Sequence, residues 1–134
     1  MRREYRAKKD RVVTSYANPS AASVVRTDQL PYPYGSIFVL ETAEAAKDQD
    51  GHPLLDKDGQ NLPGNVTGLH VMRREKGYGE AYRDNRTGEW EYVEYTPDGG
   101  YITSPQNSAS CAACHVKAGV ERDWVYRGRF PAKE

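Results

Sequence analysis

Cys111-Ala112-Ala113-Cys114-His115 is the short stretch of this chain whose residue types and spacing could do chemistry by themselves. Two thiols at this spacing can each add to a vinyl group of one haem, forming thioethers, while the imidazole that follows turns to the iron. The chain has 2 cysteines, both in this motif, so none is left for a structural disulfide. Two other chemistries use a Cys-x-x-Cys pair. A thioredoxin-like dithiol normally opens a helix after a strand of a βαβ unit, early in its domain. Here the motif lies near the C-terminal end. A zinc site needs about four ligands, and the histidines left to complete one are His52 and His70. Adjacent Cys and His also close a tetrahedron poorly. Haem attachment is the reading that gives all three residues a task.

The other face of such a haem must come from elsewhere in the chain, and the candidate is His70-Val71-Met72-Arg73-Arg74. Strand alternation puts His70, Met72 and Arg74 on one side. At about 3.3 Å per residue His70 and Arg74 stand roughly 13 Å apart, so one or two of the three can lie over an iron. Met72 as a sixth ligand would make an electron carrier of high potential. His70 could take the same place. An open sixth position would instead receive small molecules, and His70 and Met72 would then be packing residues of a half-buried sheet.

The elements that must position these residues can be read from pattern. Asn18 followed by Pro19 reads as an N-cap and first helical residue, opening a short helix predicted to stop near Thr27 or Asp28. Residues 36–43, holding Ile37-Phe38-Val39-Leu40, form a predicted buried strand. Residues 45–66 contain Asp-Gly twice, with Pro53, Pro63 and Gly64, the composition of a long exposed connection expected to be the most mobile segment. Residues 67–75 and Trp90–Tyr95 are further predicted strands, the latter ended by a turn at Pro97-Asp98-Gly99-Gly100. A helix over 107–116 would carry the cysteine motif, and an extended segment would begin at Trp124. No internal repeat is visible. Strands in the middle with helices on both sides predict an α+β fold, mostly an antiparallel sheet.

At 134 residues the chain is expected to be a single domain over 1–134, with its core at about 16–130. Hydrophobic residues make up 37% and charged residues 28%, little apolar material for a core that a large apolar cofactor would help fill. Lysine plus arginine equals aspartate plus glutamate at 19 each, a balance that points to neither nucleic acid nor an anionic membrane. No stretch is long and apolar enough to span a membrane. The basic N-terminal segment MRREYRAKKDRVV lacks the apolar run of a secretory signal. Haem attachment takes place outside the bacterial cytoplasm, so a leader is expected upstream in the gene, with a periplasmic location.

In order along the chain, several segments resemble the cytochrome P-460 family, which includes the beta-type cytochromes c-prime. Gly35-Ser36-Ile37-Phe38-Val39-Leu40-Glu41 is similar to the family's Gly-Thr-x-x-Val-Lys-Glu strand. Val71-Met72-Arg73-Arg74-Glu75 is similar to its Val-Met-Val-Lys-Asp strand, and Gly88-Glu89-Trp90 to its Gly-x-Trp. The haem motif and Asp123-Trp124-Val125-Tyr126 complete the match, over roughly residues 18 to 130.

The resemblance implies a mostly antiparallel sheet, a homodimer, and one five-coordinate haem c whose distal side is open to nitric oxide or another diatomic ligand. A redox partner protein is implied as well. In the family's enzymes a lysine of the second strand is cross-linked to the porphyrin and the haem oxidises hydroxylamine. That position falls on Arg74, which stays protonated and is a poor nucleophile. Lys76, two residues on, would take over if the register shifted, with Glu80 or Glu94 receiving protons. In the gas-binding members apolar side chains line the distal pocket, a role that would fall to Phe38. Arg74 would then bond a bound ligand or pair with a haem propionate.

Overall fold

In the computed structural model, which describes residues 2–126, each strand pairs with the next one in sequence. β1 (Arg2–Arg6), β2 (Arg11–Ala17), β3 (Ile37–Ala45), β4 (Pro63–Arg74), β5 (Trp90–Tyr95) and β6 (Tyr101–Thr103) form one 6-stranded sheet in that order. All neighbours run antiparallel. α1 (Pro19–Ala22) lies between β2 and β3, and α2 (Ala109–Val116) follows β6. The chain therefore has the α+β fold expected from its pattern.

Three strands, β1, β2 and the short β6, are not among those predicted from the sequence. β1 is an edge strand, four of its five residues exposed, so no buried face imposes apolar alternation on it. Its arginines protect that edge from pairing with other chains. Val12 and Val13 of β2 are buried, and the turn between the two strands closes at Asp10 in the left-handed conformation, φ 51°.

α1 is shorter than expected and ends at Ala22. Asn18 Oδ1 accepts from the N–H groups of Ala21 and of Ile37, both at 3.0 Å, while Nδ2 donates to the Gly35 carbonyl at 2.8 Å. One side chain thus caps the helix and fixes where β3 begins.

The connection between β3 and β4 is a pair of similar turns rather than a loose loop. Asp48 Oδ1 accepts from the N–H groups of Asp50 and His52, each at 2.9 Å. Asp56 Oδ1 does the same for Asp58 at 2.8 Å and Gln60 at 3.0 Å. The repeated Asp-x-Asp-Gly spacing is the sequence sign of this arrangement, an Asx turn built twice. Isolated bridges Lys47–Pro53 and Leu55–Asn61 close the two turns.

The register aligns Phe38 with Met72 and Met72 with Tyr92, so these three share one face of the sheet. On that face Met72, Trp90 and Tyr92 pack with Ala21, Val24, Tyr32, Tyr82, Ala112 and Val125, joining both helices to β4 and β5. Phe38 packs edge-on to Tyr32 with ring centroids 5.2 Å apart.

Trp124 does not begin an extended segment as expected. Asp123 and Trp124 are both left-handed, with φ 51° and 57°, and close a 3-10 turn over Val120–Arg122. The rest of the predicted extended segment, from Arg127 on, lies outside the described residues.

Candidate haem site

The cysteine motif sits on α2, which is held against β5 by one tyrosine. β6 is short and pairs with β5 only at Glu94 and Tyr95, leaving the outer edge of Tyr92 without a strand partner. The Tyr82 hydroxyl takes that place, accepting from the Tyr92 N–H at 2.9 Å. It donates in turn to the carbonyl of Pro105 at 2.9 Å, in the 3-10 turn that leads into α2. Buried Ser108 continues the lead-in, its hydroxyl donating to the Ser104 carbonyl at 2.8 Å. Ala112, fully buried, is the α2 residue within the core cluster, and Ala109 and Cys111 pack against that cluster from the same helix.

Cys111, Cys114 and His115 lie at i, i+3 and i+4 of α2, on adjoining positions of its surface. Both thiols are free, Cys111 half-buried and Cys114 exposed. Burial, with the Glu94 charge as a smaller cause, pushes the Cys111 thiol up. His115 Nδ1 lies 2.7 Å from the Trp124 carbonyl, which can only accept, so Nδ1 carries the proton and Nε2 is left with its lone pair. Burial holds the imidazole below its ordinary value, opposed by the Trp124 bond. A neutral imidazole with its outer nitrogen engaged by a carbonyl is the arrangement of metal-ligating histidines.

These residues fit a haem and do not fit the alternatives. The sheet is antiparallel throughout and offers no βαβ unit for a thioredoxin-like dithiol. Among the described residues, the grouping of His, Cys, Asp and Glu close enough to share an ion is Asp48, Asp50 and His52, at the surface, and it includes none of the motif. Cys111, Cys114 and His115 do not converge on a point as a zinc site would need.

The β4 residues take separate positions. Met72 is buried, 7% exposed, within the core cluster. His70 is exposed and pairs with Glu94, Nε2 to Oε1 3.3 Å, while Glu94 also accepts from the Thr103 hydroxyl at 3.0 Å. The Arg74 guanidinium is engaged on several sides. It donates to the Tyr32 carbonyl at 2.8 Å and to Glu89 at 3.3 Å, lies 3.7 Å from Asp123 and stacks 4.5 Å from the Tyr34 ring centroid. Lys76 lies past the end of β4, exposed in the turn that follows, so strand alternation does not carry it to the face of Arg74. Phe38 is half-buried against Tyr32 and Trp90.

Two contributors escaped the sequence reading. Tyr82 stands between two predicted strands in a stretch holding Gly77, Gly79 and Gly88, and nothing local signals a hydroxyl that completes a strand edge. Asp123 belongs to the Asp123-Trp124-Val125-Tyr126 segment, yet its partner Tyr32, bonded through its N–H at 2.9 Å, is distant in sequence.

The fold is an antiparallel sheet with a helix after its last described strand that presents two free thiols beside a carbonyl-bound histidine. The family model described as Cytochrome P460 matches residues 2–127, and the chain belongs to that family. It is accordingly a haem protein. No curated protein sequence matches the chain. Among the described residues no helix is long and apolar enough to cross a membrane.

Proposed function

We propose that the chain is a mono-haem c-type cytochrome with an open distal site, binding nitric oxide or a related small ligand and transferring electrons. Cys111 and Cys114 hold the haem by thioethers and His115 ligates the iron through Nε2. When bound, the haem supplies an iron centre that takes small ligands and exchanges single electrons. The observation that carries this reading is the 2.7 Å contact between His115 Nδ1 and the Trp124 carbonyl, which prepares Nε2 for a metal beside two unpaired thiols.

An open sixth position is supported by what the other candidates are doing. Met72 is packed among Trp90, Tyr92 and Tyr32, and His70 is paired with Glu94. A lysine cross-link, and with it hydroxylamine oxidation, is disfavoured by Lys76 lying in a turn and by an arginine at position 74. The committed guanidinium also disfavours Arg74 as a ligand-binding or propionate-binding group.

Thioether formation outside the bacterial cytoplasm makes the protein periplasmic on this reading, with a redox partner protein that reaches the haem. A homodimer is supported by the sheet face opposite Met72, where the cross-strand pairs Val39–Val71 and Leu69–Tyr95 are only half-buried.

Optical spectra of the ferric and ferrous protein, with intact mass, test the reading. Five-coordinate high-spin spectra and a mass of polypeptide plus one haem are expected. A strongly red-shifted ferrous Soret band with further hydrogen loss would establish the cross-linked enzyme instead, and a six-coordinate low-spin spectrum the plain electron carrier.

A further inference from the structure

We infer that Asp123 is a positioning residue for the His115 imidazole: its carboxylate clamps the left-handed turn in which the next residue, Trp124, presents the carbonyl that holds Nδ1. The inference rests on the reading of His115 as the axial ligand.

Asp123 and Trp124 are consecutive non-glycine residues with φ 51° and 57°. L-residues adopt this conformation reluctantly, and two in succession persist only where the surroundings over-determine them. The surroundings here do so from three directions. Asp123 is 4% exposed, and its Oδ2 accepts the Tyr32 N–H at 2.9 Å and faces Arg74 Nε at 3.7 Å. Its own N–H donates to the Val120 carbonyl at 2.9 Å, and that of Trp124 to the Gly119 carbonyl at 3.0 Å. The Trp124 ring lies against Gly88 so closely that a Cβ there would stand 2.6 Å from Cζ3.

In the turn these contacts hold, the Trp124 carbonyl accepts from His115 Nδ1 at 2.7 Å. An imidazole that gives its Nδ1 proton to a well-placed acceptor is a stronger donor through Nε2. Asp123 therefore acts on the metal-binding nitrogen without touching it, and Arg74 acts through Asp123. The chain of contacts runs from β4 to the ligand by way of a strained turn.

The test uses the haem-loaded protein and reads the iron–histidine stretching band of the ferrous form by resonance Raman spectroscopy, with the reduction potential. Asp123→Asn keeps the size of the side chain but removes the charge facing Arg74. Arg74→Gln loosens the same clamp from β4. Gly88→Ala pushes the Trp124 ring directly and calibrates what displacing the carbonyl does. In all three the band should move to lower frequency and the potential rise, least in Arg74→Gln, with covalent haem retained by mass. A band and potential unchanged in both Asp123→Asn and Arg74→Gln, even with a lowered melting temperature, would make Asp123 merely structural and overturn the inference. No iron–histidine band in the unaltered protein would instead overturn the ligation by His115 itself.

Discussion

The rings of Tyr92 and His115 lie 4.7 Å apart, centroid to centroid, tilted by 31°. Tyr92 cannot swing away, because it is buried on β5 with its hydroxyl 2.6 Å from the Thr87 hydroxyl oxygen. The imidazole is thereby held half-buried, and burial lowers its proton affinity. A buried base whose pKa is lower in the folded chain binds more protons when unfolded, so stability rises with pH through that window. The His115 contribution is complete above its ordinary value of 6.5 and is lost as pH falls below it. We expect the urea midpoint of the haem-free chain to drop between about pH 7.5 and about pH 5, and the drop to be shallower in His115→Gln. An equal drop in both would assign the effect to other groups.

Cys111→Ser combined with Cys114→Ser should abolish covalent haem while leaving the fold. One thiol is exposed and the other half-buried, so the exchange costs about 1 kcal/mol or less. Acid-acetone extraction should remove all haem from the double variant, and its intact mass should be that of the polypeptide alone. Haem that stays with the extracted protein would disprove attachment through these cysteines.

Arg74→Ala removes a guanidinium whose side chain is 12% exposed and leaves Asp123, 5% exposed, without its cation. Breaking a buried pair from one side costs about 3 kcal/mol, measurable by chemical denaturation. Nitric oxide affinity should change only as far as the iron–histidine band of the same variant moves. The reverse outcome, weakened nitric oxide binding at full stability, would put the guanidinium over the iron.

Gly79→Ala should destabilise the segment that carries Tyr82. Gly79 has φ +92°, and a Cβ there would stand 2.9 Å from the Trp90 carbonyl oxygen. Strain of this kind costs about 1–3 kcal/mol. A melting temperature equal to that of the unaltered protein would show that the turn can relax.

What could be read from the sequence follows from where the physical cause lies. Trp90–Tyr95 reads as a strand because four of its six residues are aromatic or β-branched, and the structure gives β5 those bounds. The helix expected over 107–116 is likewise found, at Ala109–Val116. β1 is illegible because an exposed edge imposes no pattern. The helix at Asn18 was foreseen in its start but not its end, because the cap is local while the stop depends on how Asn18 also binds Gly35 and Ile37. The conformation of Asp123 and Trp124 lies furthest from the sequence. Neither residue type favours φ > 0 strongly enough to announce it, and the groups that enforce it come from Tyr32, Arg74 and Gly88.

Because every strand pairs only with its neighbour in sequence, the order of synthesis is also an order of assembly. Sheets built this way need no distant segment to return before they can close, which favours rapid folding, and chains fold from the N-terminal end as they emerge. Among the described residues the 6 strands are complete by Thr103, before the first thiol at Cys111. The cysteine motif therefore arrives on a support already formed, and its two free thiols spend little of the folding time without a surface to dock on.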